Sequence, residues 1–425
     1  MSEFNVIGKS IPRTDAVQQV TGKIVYGEDL YRPHMLYAKA HYSAYPHARI
    51  LHIDIRRAEQ MPGVKAVITH KDVPDNRFGF NVIDQKVLAE DKVHYRGDCI
   101  AVVAAETLKQ AEAAAAAVKV TYEELPPLFD PFEAMKQDAP VIHEELSADN
   151  ISHHLKIRSG DTEQGFKESY LIEKNVFKTQ KVEHAPIEPH VALSELDPDG
   201  KLIVWTSSSR VFQYSGVMTK VMKIPMHMMQ IKSPAVGGAF GGKNEVMLEP
   251  WVALLTQKTG RPVKMVFTRE EEFRTSTIRH AYTITYKSSV SKDGKLLAAE
   301  IDAVSDCGAY LAQGKSQLMK AIVHLCGPYY VPNVKIDGYL VYTNTLVGSS
   351  MRGMGVPQAC FACESQMDIL ALKLGMDPWE FRSINMFGSK GYLPNGQVIN
   401  AEAMRKTYLR AVELYNGTAR KEVRT

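Results

Sequence analysis

Apolar positions tend to alternate with polar ones through residues 35–40 and 48–54, the spacing of half-buried strands, and residues 24–27 and 64–69 carry short runs of the same kind. Residues 57–64 predict a short helix that Pro62-Gly63 stops. Residues 99–105 (CIAVVAA) form an unbroken apolar run, the mark of a buried strand. Thr107 stands where it would cap an Ala-rich helix over 108–118, which leads into a further strand ending at residue 122. Leu125-Pro126-Pro127 and Asp130-Pro131 close this stretch, so a first mixed α+β domain is expected over residues 1–134 and a second over 135–425.

In the second region, residues 171–182 and 192–206 predict antiparallel strands, the latter broken by the turn sequence Asp197-Pro198-Asp199-Gly200. Residues 211–222 place Val217, Met218, Val221 and Met222 on one helical face, with Pro225 beyond its end. The methionines between 218 and 229 fit core packing better than a soft-metal surface. Cys360, Cys363, Met367, Leu370 and Leu374 recur every three or four residues, so the CxxC is expected to be a pair of buried structural thiols. The fold class is therefore α+β, a small N-terminal α/β domain followed by a larger mixed one.

Composition changes this little. With 45% hydrophobic and 23% charged residues, the chain is not disordered, collagenous or coiled coil. Its 51 Lys plus Arg against 48 Asp plus Glu argue against a nucleic-acid or membrane-surface specialist. Five cysteines are too few for a disulfide framework, and no apolar run reaches the roughly 18 residues of a membrane span. Residues 1–13 lack a signal-peptide pattern, so the expected location is cytoplasmic.

The chemistry concentrates in two loops. Gly237-Gly238-Ala239-Phe240-Gly241-Gly242-Lys243 satisfies GxxxxGK, but Asn244 replaces the Mg²⁺-binding Ser or Thr and Phe240 sits inside the loop, which argues against a P-loop. What the glycines still offer is backbone N–H groups able to approach a polar ligand, with an apolar helix expected over 246–255 behind them. A second segment, Ser349-Ser350-Met351-Arg352-Gly353-Met354-Gly355-Val356-Pro357-Gln358, also lies between a strand and a helix, and its arginine fits either a clamp for an anionic group or an ordinary solvated loop residue. Two such loops fit one extended cofactor threaded between them.

This pair of loops resembles the molybdopterin-binding loops of the molybdenum hydroxylases, the xanthine dehydrogenase and aldehyde oxidase family. Further similar segments are Thr259-Gly260-Arg261-Pro262-Val263-Lys264, Thr268-Arg269-Glu270-Glu271, Ser305-Asp306-Cys307-Gly308-Ala309-Tyr310 and Tyr330-Val331-Pro332-Asn333-Val334. In the N-terminal region residues 15–29, Met61-Pro62-Gly63-Val64 and Tyr95-Arg96-Gly97-Asp98 match too, where the family has a hammerhead-type domain. The resemblance implies a molybdenum-molybdopterin cofactor with no protein side chain on the metal. Gly238, Ala239, Phe240 and Gly241 would lie against the metal's ligands, Phe240 offering its backbone to an oxo group, and Arg352 would sit beside the pterin.

Departures from the family pattern sharpen the reading. A glutamine usual after the strand matching residues 202–206 is replaced by Ser207, Ser208 and Ser209. Purine-oxidising members carry a Glu, an Arg and a Phe where this chain has Asn244, Lys320 and Met354, so xanthine is a poor candidate and Lys320 is a candidate partner for an anionic substrate. Family subunits usually run several hundred residues further, with the general-base Glu in the later half. The chain is therefore expected to be the front part of a split subunit, with Glu188, flanked by His184 and His190, as the local rival for the base, although a supporting structural role suits that segment better.

The resemblance extends to split members that hydroxylate nicotinate to 6-hydroxynicotinate. It implies a second molybdopterin subunit carrying the Glu, an iron-sulfur subunit with [2Fe-2S] clusters and an FAD subunit. It also implies NADP as acceptor, a cytosine dinucleotide form of the pterin, and a sulfido or selenido ligand. The alternatives are a split hydroxylase for an aldehyde, another heterocycle or a thioester, and a non-catalytic cofactor scaffold.

Overall fold

The computed structural model describes residues 4–422. Two sheets organise it. The seven-stranded sheet runs, edge to edge, Met229–Lys232, Leu202–Thr206, Val191–Leu196, Val263–Val266, Leu36–Tyr42, Cys99–Ala105 and Val64–Ile68. At its centre Leu36–Tyr42 pairs in parallel with Val263–Val266 and antiparallel with Cys99–Ala105, so strands from either side of residue 134 share one hydrogen-bonded sheet. A single apolar cluster follows the same path, from Leu36, Ile68 and Val102 to Leu202, Trp251 and Met265. Cys99–Ala105 is buried at every position, as its unbroken apolar run requires.

The five-stranded sheet has the order Leu171–Thr179, Tyr282–Val290, Leu296–Gly308, Asn333–Tyr342 and Ile151–Ser159. Helices Gly314–Val323 and Val356–Leu374 pack on it, with Leu318, Ile322, Cys363, Met367 and Leu370 meeting Tyr282, Ile301 and Ile336. Helix Leu108–Ala117 is capped by Thr107, whose side chain accepts from Gln110 while Gln110 reaches back to the Thr107 N–H.

Three expectations need correction. Residues 24–27 are not a strand: only Tyr26 bridges to Ala235, because the Tyr26 N–H is taken by Asp29 and the Gly27 N–H by Glu188. The helix expected from residue 246 starts at Glu249, with Pro250 in its first turn and the Glu249 carboxylate accepting from Met247 N and Thr206 Oγ1. A 3₁₀ turn, Gly242–Asn244, follows the glycines and residues 245–248 are irregular, so the α-helix does not start directly behind the loop. Cys363 is buried but Cys360 is exposed, since the face of Val356–Leu374 turned to the sheet is carried by Ala359 and Ala362 instead. Among the methionines, Met218, Met222 and Met229 are buried and Met226 is exposed. Residues 423–425, part of the polar end, lie outside the described residues.

Candidate cofactor and substrate site

The glycine loop leaves the edge strand Met229–Lys232 and turns through left-handed backbone at Gly238 (φ 108°), Phe240 (φ 52°) and Gly241 (φ 110°). At Phe240 this conformation is strained for a residue with a Cβ, by about 1 kcal/mol. The close approach that follows explains Gly241, where a Cβ would stand 2.6 Å from the Ser350 carbonyl oxygen and 2.9 Å from Met351 Cα. The two loops are thereby in contact. Arg352 N donates to Phe240 O at 2.7 Å, and the Arg352 guanidinium lies 5.3 Å from the centre of the Phe240 ring.

Behind the loop is a clamp that sequence spacing gave no sign of. Glu188 Oε2 accepts from Gly237 N at 2.8 Å and from Lys243 Nζ at 2.7 Å, while Oε1 accepts from Gly27 N at 3.1 Å. The Lys243 side chain is fully buried, so this lysine cannot reach a phosphate as a P-loop lysine must. Burial pulls its ammonium down from the usual lysine range and Glu188 opposes that. With both carboxylate oxygens engaged, Glu188 is a structural tie and not a free base. His184 holds the other loop: its Nε2 lies 2.7 Å from Ser350 O, and a Cβ at Gly242 would meet its ring at 2.9 Å. Burial lowers the His184 imidazole from the usual histidine range, and its bond with the Ser350 carbonyl opposes that. His190 sits apart, its Nδ1 2.7 Å from buried Glu272.

The serines after Leu202–Thr206 pack against the far end of the glycine loop. Ser209 N donates to Lys243 O and Ser209 Oγ to Asn244 Oδ1, while Ser208 Oγ lies 3.5 Å from Lys243 O. Ser207 Oγ is buried with no hydrogen-bond partner. On helix Gly314–Val323, Lys320 is exposed and its Nζ lies 3.1 Å from Met354 Sδ on the second loop. No carboxylate among the described residues pairs with Lys320 or with Arg352.

The sequence candidates thus meet in three couples: Phe240 with Arg352, Asn244 with Ser209, and Lys320 with Met354. They fit the implied cofactor on two observations. None of the backbone N–H groups of Gly238, Ala239, Phe240 and Gly241 finds an acceptor within the described chain, although Ala239 O accepts from Gly242 N. An unpaired guanidinium and the orphaned Ser207 hydroxyl flank the same loop. A polar, anionic group satisfies donors of this kind. Sequence reasoning singled out Glu188 and, within the second segment, Ser349, but missed Glu245, Gln313 and Gln317, buried polar side chains that lie behind the second loop.

A hammerhead-type region joined to a larger two-loop cofactor domain defines a molybdopterin-binding protein. Residues 21–126 match the aldehyde oxidase and xanthine dehydrogenase a/b hammerhead domain, and residues 142–386 match the molybdopterin cofactor-binding domain. The chain is 36% identical to the nicotinate dehydrogenase large molybdopterin subunit of Eubacterium barkeri, over 97% of this chain and 98% of that one. It is 40% identical to a probable xanthine dehydrogenase component from Bacillus subtilis, over 88% of this chain but 50% of that one. Among solved structures, aldehyde oxidoreductase from Desulfovibrio gigas superposes with a TM-score of 0.89 at 34% identity, covering 95% of this chain and 46% of that one. The chain belongs to the molybdenum hydroxylase family of xanthine dehydrogenase and aldehyde oxidase, a family of molybdenum-dependent oxidoreductases. No helix among the described residues is long and apolar enough to cross a membrane.

Proposed function

We propose that this chain is the molybdopterin-binding subunit of a multi-subunit hydroxylase for an anionic N-heteroaromatic ring, converting nicotinate to 6-hydroxynicotinate. One observation carries the substrate class: Lys320 stands beside the second loop, exposed, with a thioether and no carboxylate as its neighbour. A carboxylate on the substrate would supply the missing counter-charge, and Met354 would give its ring a polarisable apolar surface. The match over nearly the full length of a nicotinate dehydrogenase subunit supports the same choice.

When bound, the molybdenum group supplies two-electron oxidation of a ring C–H with oxygen drawn from water. The chain's own residues seat and orient. The free N–H groups from Gly238 to Gly241 would hold the polar edge of the group, with the Phe240 N–H in an oxyanion-hole role. Ser207 or Ser208 would offer a short-reach donor where the family has glutamine, and Arg352 would hold the pterin side. Asn244, tied to Ser209, lines the substrate side with Lys320 and Met354. A second molybdopterin subunit would supply the general-base Glu, and the two electrons of each turnover would pass through iron-sulfur and FAD subunits to NADP, which takes up one proton while the other is released to water. The complex is cytoplasmic, and its pterin carries cytosine dinucleotide with a sulfido or selenido ligand.

The test compares Lys320→Ala with wild type on nicotinate and on an uncharged pyridine ring. Loss of one charge-assisted contact is expected to raise KM for nicotinate by roughly 10- to 100-fold, with kcat and the uncharged substrate little changed. An equal loss on both substrates would remove Lys320 from the substrate's carboxylate. A purified complex without molybdenum would overturn the whole reading.

A further inference from the structure

Glu245 follows the glycine loop directly and is 3% exposed. Its side chain accepts a hydrogen bond from Ser349 Oγ, at the foot of the second loop, and its backbone carbonyl accepts one from the Tyr214 hydroxyl. From there the bonding continues sideways: Ser350 Oγ donates to Gln313 Oε1 at 3.1 Å, and Gln317 Nε2 donates to Ser350 Oγ at 3.2 Å. Ser350 is also the residue whose carbonyl meets His184 and crowds Gly241. One buried side chain therefore joins the end of the first loop to the start of the second.

That side chain has no cation to balance it. Among the described residues no lysine, arginine or histidine forms an ion pair with Glu245, and Arg210 acts on it only across a distance. Its other neighbours border a cavity of about 70 Å³, where Glu245 is joined by Tyr95, Asp98, Tyr310 and Lys86. The cavity has room for a few waters, enough to carry a proton to or from the carboxyl. An isolated carboxylate here would cost several kcal/mol of desolvation, and it would stand beside loops that seat an anionic group.

We infer that Glu245 is a positioning residue that locks the second loop to the glycine loop, and that it does so as a neutral carboxylic acid. The inference rests on the reading of these loops as the cofactor seat. As an acid the group both donates and accepts, whereas a carboxylate only accepts. Burial pushes the Glu245 carboxyl up to about 7, against the pull of Ser349, Gln313 and Arg210 and with a small push from Asp84. The lock is complete below that pH and weakens as pH rises through it, when ionisation leaves a buried charge with no cation beside it and next to loops that seat an anionic group.

The test uses the purified complex with its native cofactor. Infrared difference spectra in H₂O and D₂O should show, on the acid side of neutrality, a protonated-carboxyl band that Glu245→Gln removes and that fades on the alkaline side. Glu245→Gln, which keeps a neutral donor and acceptor in the same shape, should retain pterin and molybdenum as wild type does, and its retention should no longer depend on pH. Glu245→Ala should release the cofactor about tenfold faster, the equivalent of one buried hydrogen bond. If Glu245→Ala fails to fold, wild type and Glu245→Gln decide the matter by the infrared band. Absence of that band in wild type, or cofactor loss from Glu245→Gln as fast as from Glu245→Ala, would overturn the inference. A complex that holds no molybdenum or pterin would instead overturn the proposed function, and the band, which needs no cofactor, would still report the state of Glu245.

Discussion

Lys243 looks, in the sequence, like the working end of a phosphate loop, yet its ammonium is buried on Glu188. A buried pair of this kind contributes little in total but is costly to split, because removal of one partner strands the other charge. Glu188→Ala is expected to destabilise the chain by about 3–5 kcal/mol, read as a lower urea midpoint, and to loosen Gly27 and Gly237 as well. Pairing it with Lys243→Met should recover most of the loss, since no charge is then left unpaired. If the double variant were as unstable as Glu188→Ala alone, the cost would lie in the two backbone bonds and not in the stranded ammonium. Phe240 presents the opposite case, a residue that pays in strain for its place under Arg352. Phe240→Gly should gain about 1 kcal/mol of stability from relaxed backbone while cofactor retention falls, and a fall in both would contradict the strain argument.

Among the elements, Gly241 decides whether the two loops can meet. Gly241→Ala would put a methyl group 2.6 Å from the Ser350 carbonyl oxygen at a φ of 110°, so the seam must open. The expected result is a folded chain, unchanged in far-ultraviolet dichroism, that purifies with much less pterin; full occupancy would mean that the loops need not touch. The elements that local pattern predicts well are those whose partners are close in sequence. Helix Val211–Met222 and the strands around Asp197-Pro198-Asp199-Gly200 have the expected ends, because periodicity and turn chemistry are local. The failures have causes that are partly distant. Residues 24–27 lose their strand to Asp29 nearby and to a carboxylate 161 positions away in the chain, and helix Glu249–Thr259 starts late because neighbouring Met247 and Thr206, 43 positions back, both engage its first carboxylate. The couples Asn244 with Ser209 and Lys320 with Met354 are 35 and 34 positions apart, beyond any local pattern, and only the family resemblance singled out their members. Glu245 had no signal at all, since a lone glutamate after a loop reads as a solvated one.

At the scale of the whole molecule, the hammerhead-type region is joined to the cofactor region by more than a linker. Leu36–Tyr42 completes a sheet with Val263–Val266, and Asp98 from the first region accepts from Tyr310 of the second at 2.8 Å as well as from His94 N at 2.6 Å. That seam responds to pH. Burial pushes the Asp98 carboxyl up to about 6, with its hydrogen bonds pulling the other way. Because the native state then binds the proton more tightly than the unfolded chain, Asp98's contribution to stability is greatest at acid pH. It declines as pH rises from about 4 to about 6, by on the order of 3 kcal/mol, and is level above that range. Buried His280, lowered to about 4, acts in the reverse sense: the unfolded chain gains the proton first, so its contribution is lost as pH falls from about 6.5 to about 4. The two slopes oppose each other over nearly the same interval, so the contributions of these two groups largely offset there. Asp98→Asn removes one slope and keeps the shape, so its unfolding midpoint should fall more steeply than that of wild type as pH is lowered from about 6 to about 4. Parallel pH profiles for the two proteins would show that Asp98 is already ionised in the folded seam, with the cost of its burial met by the three donors around it.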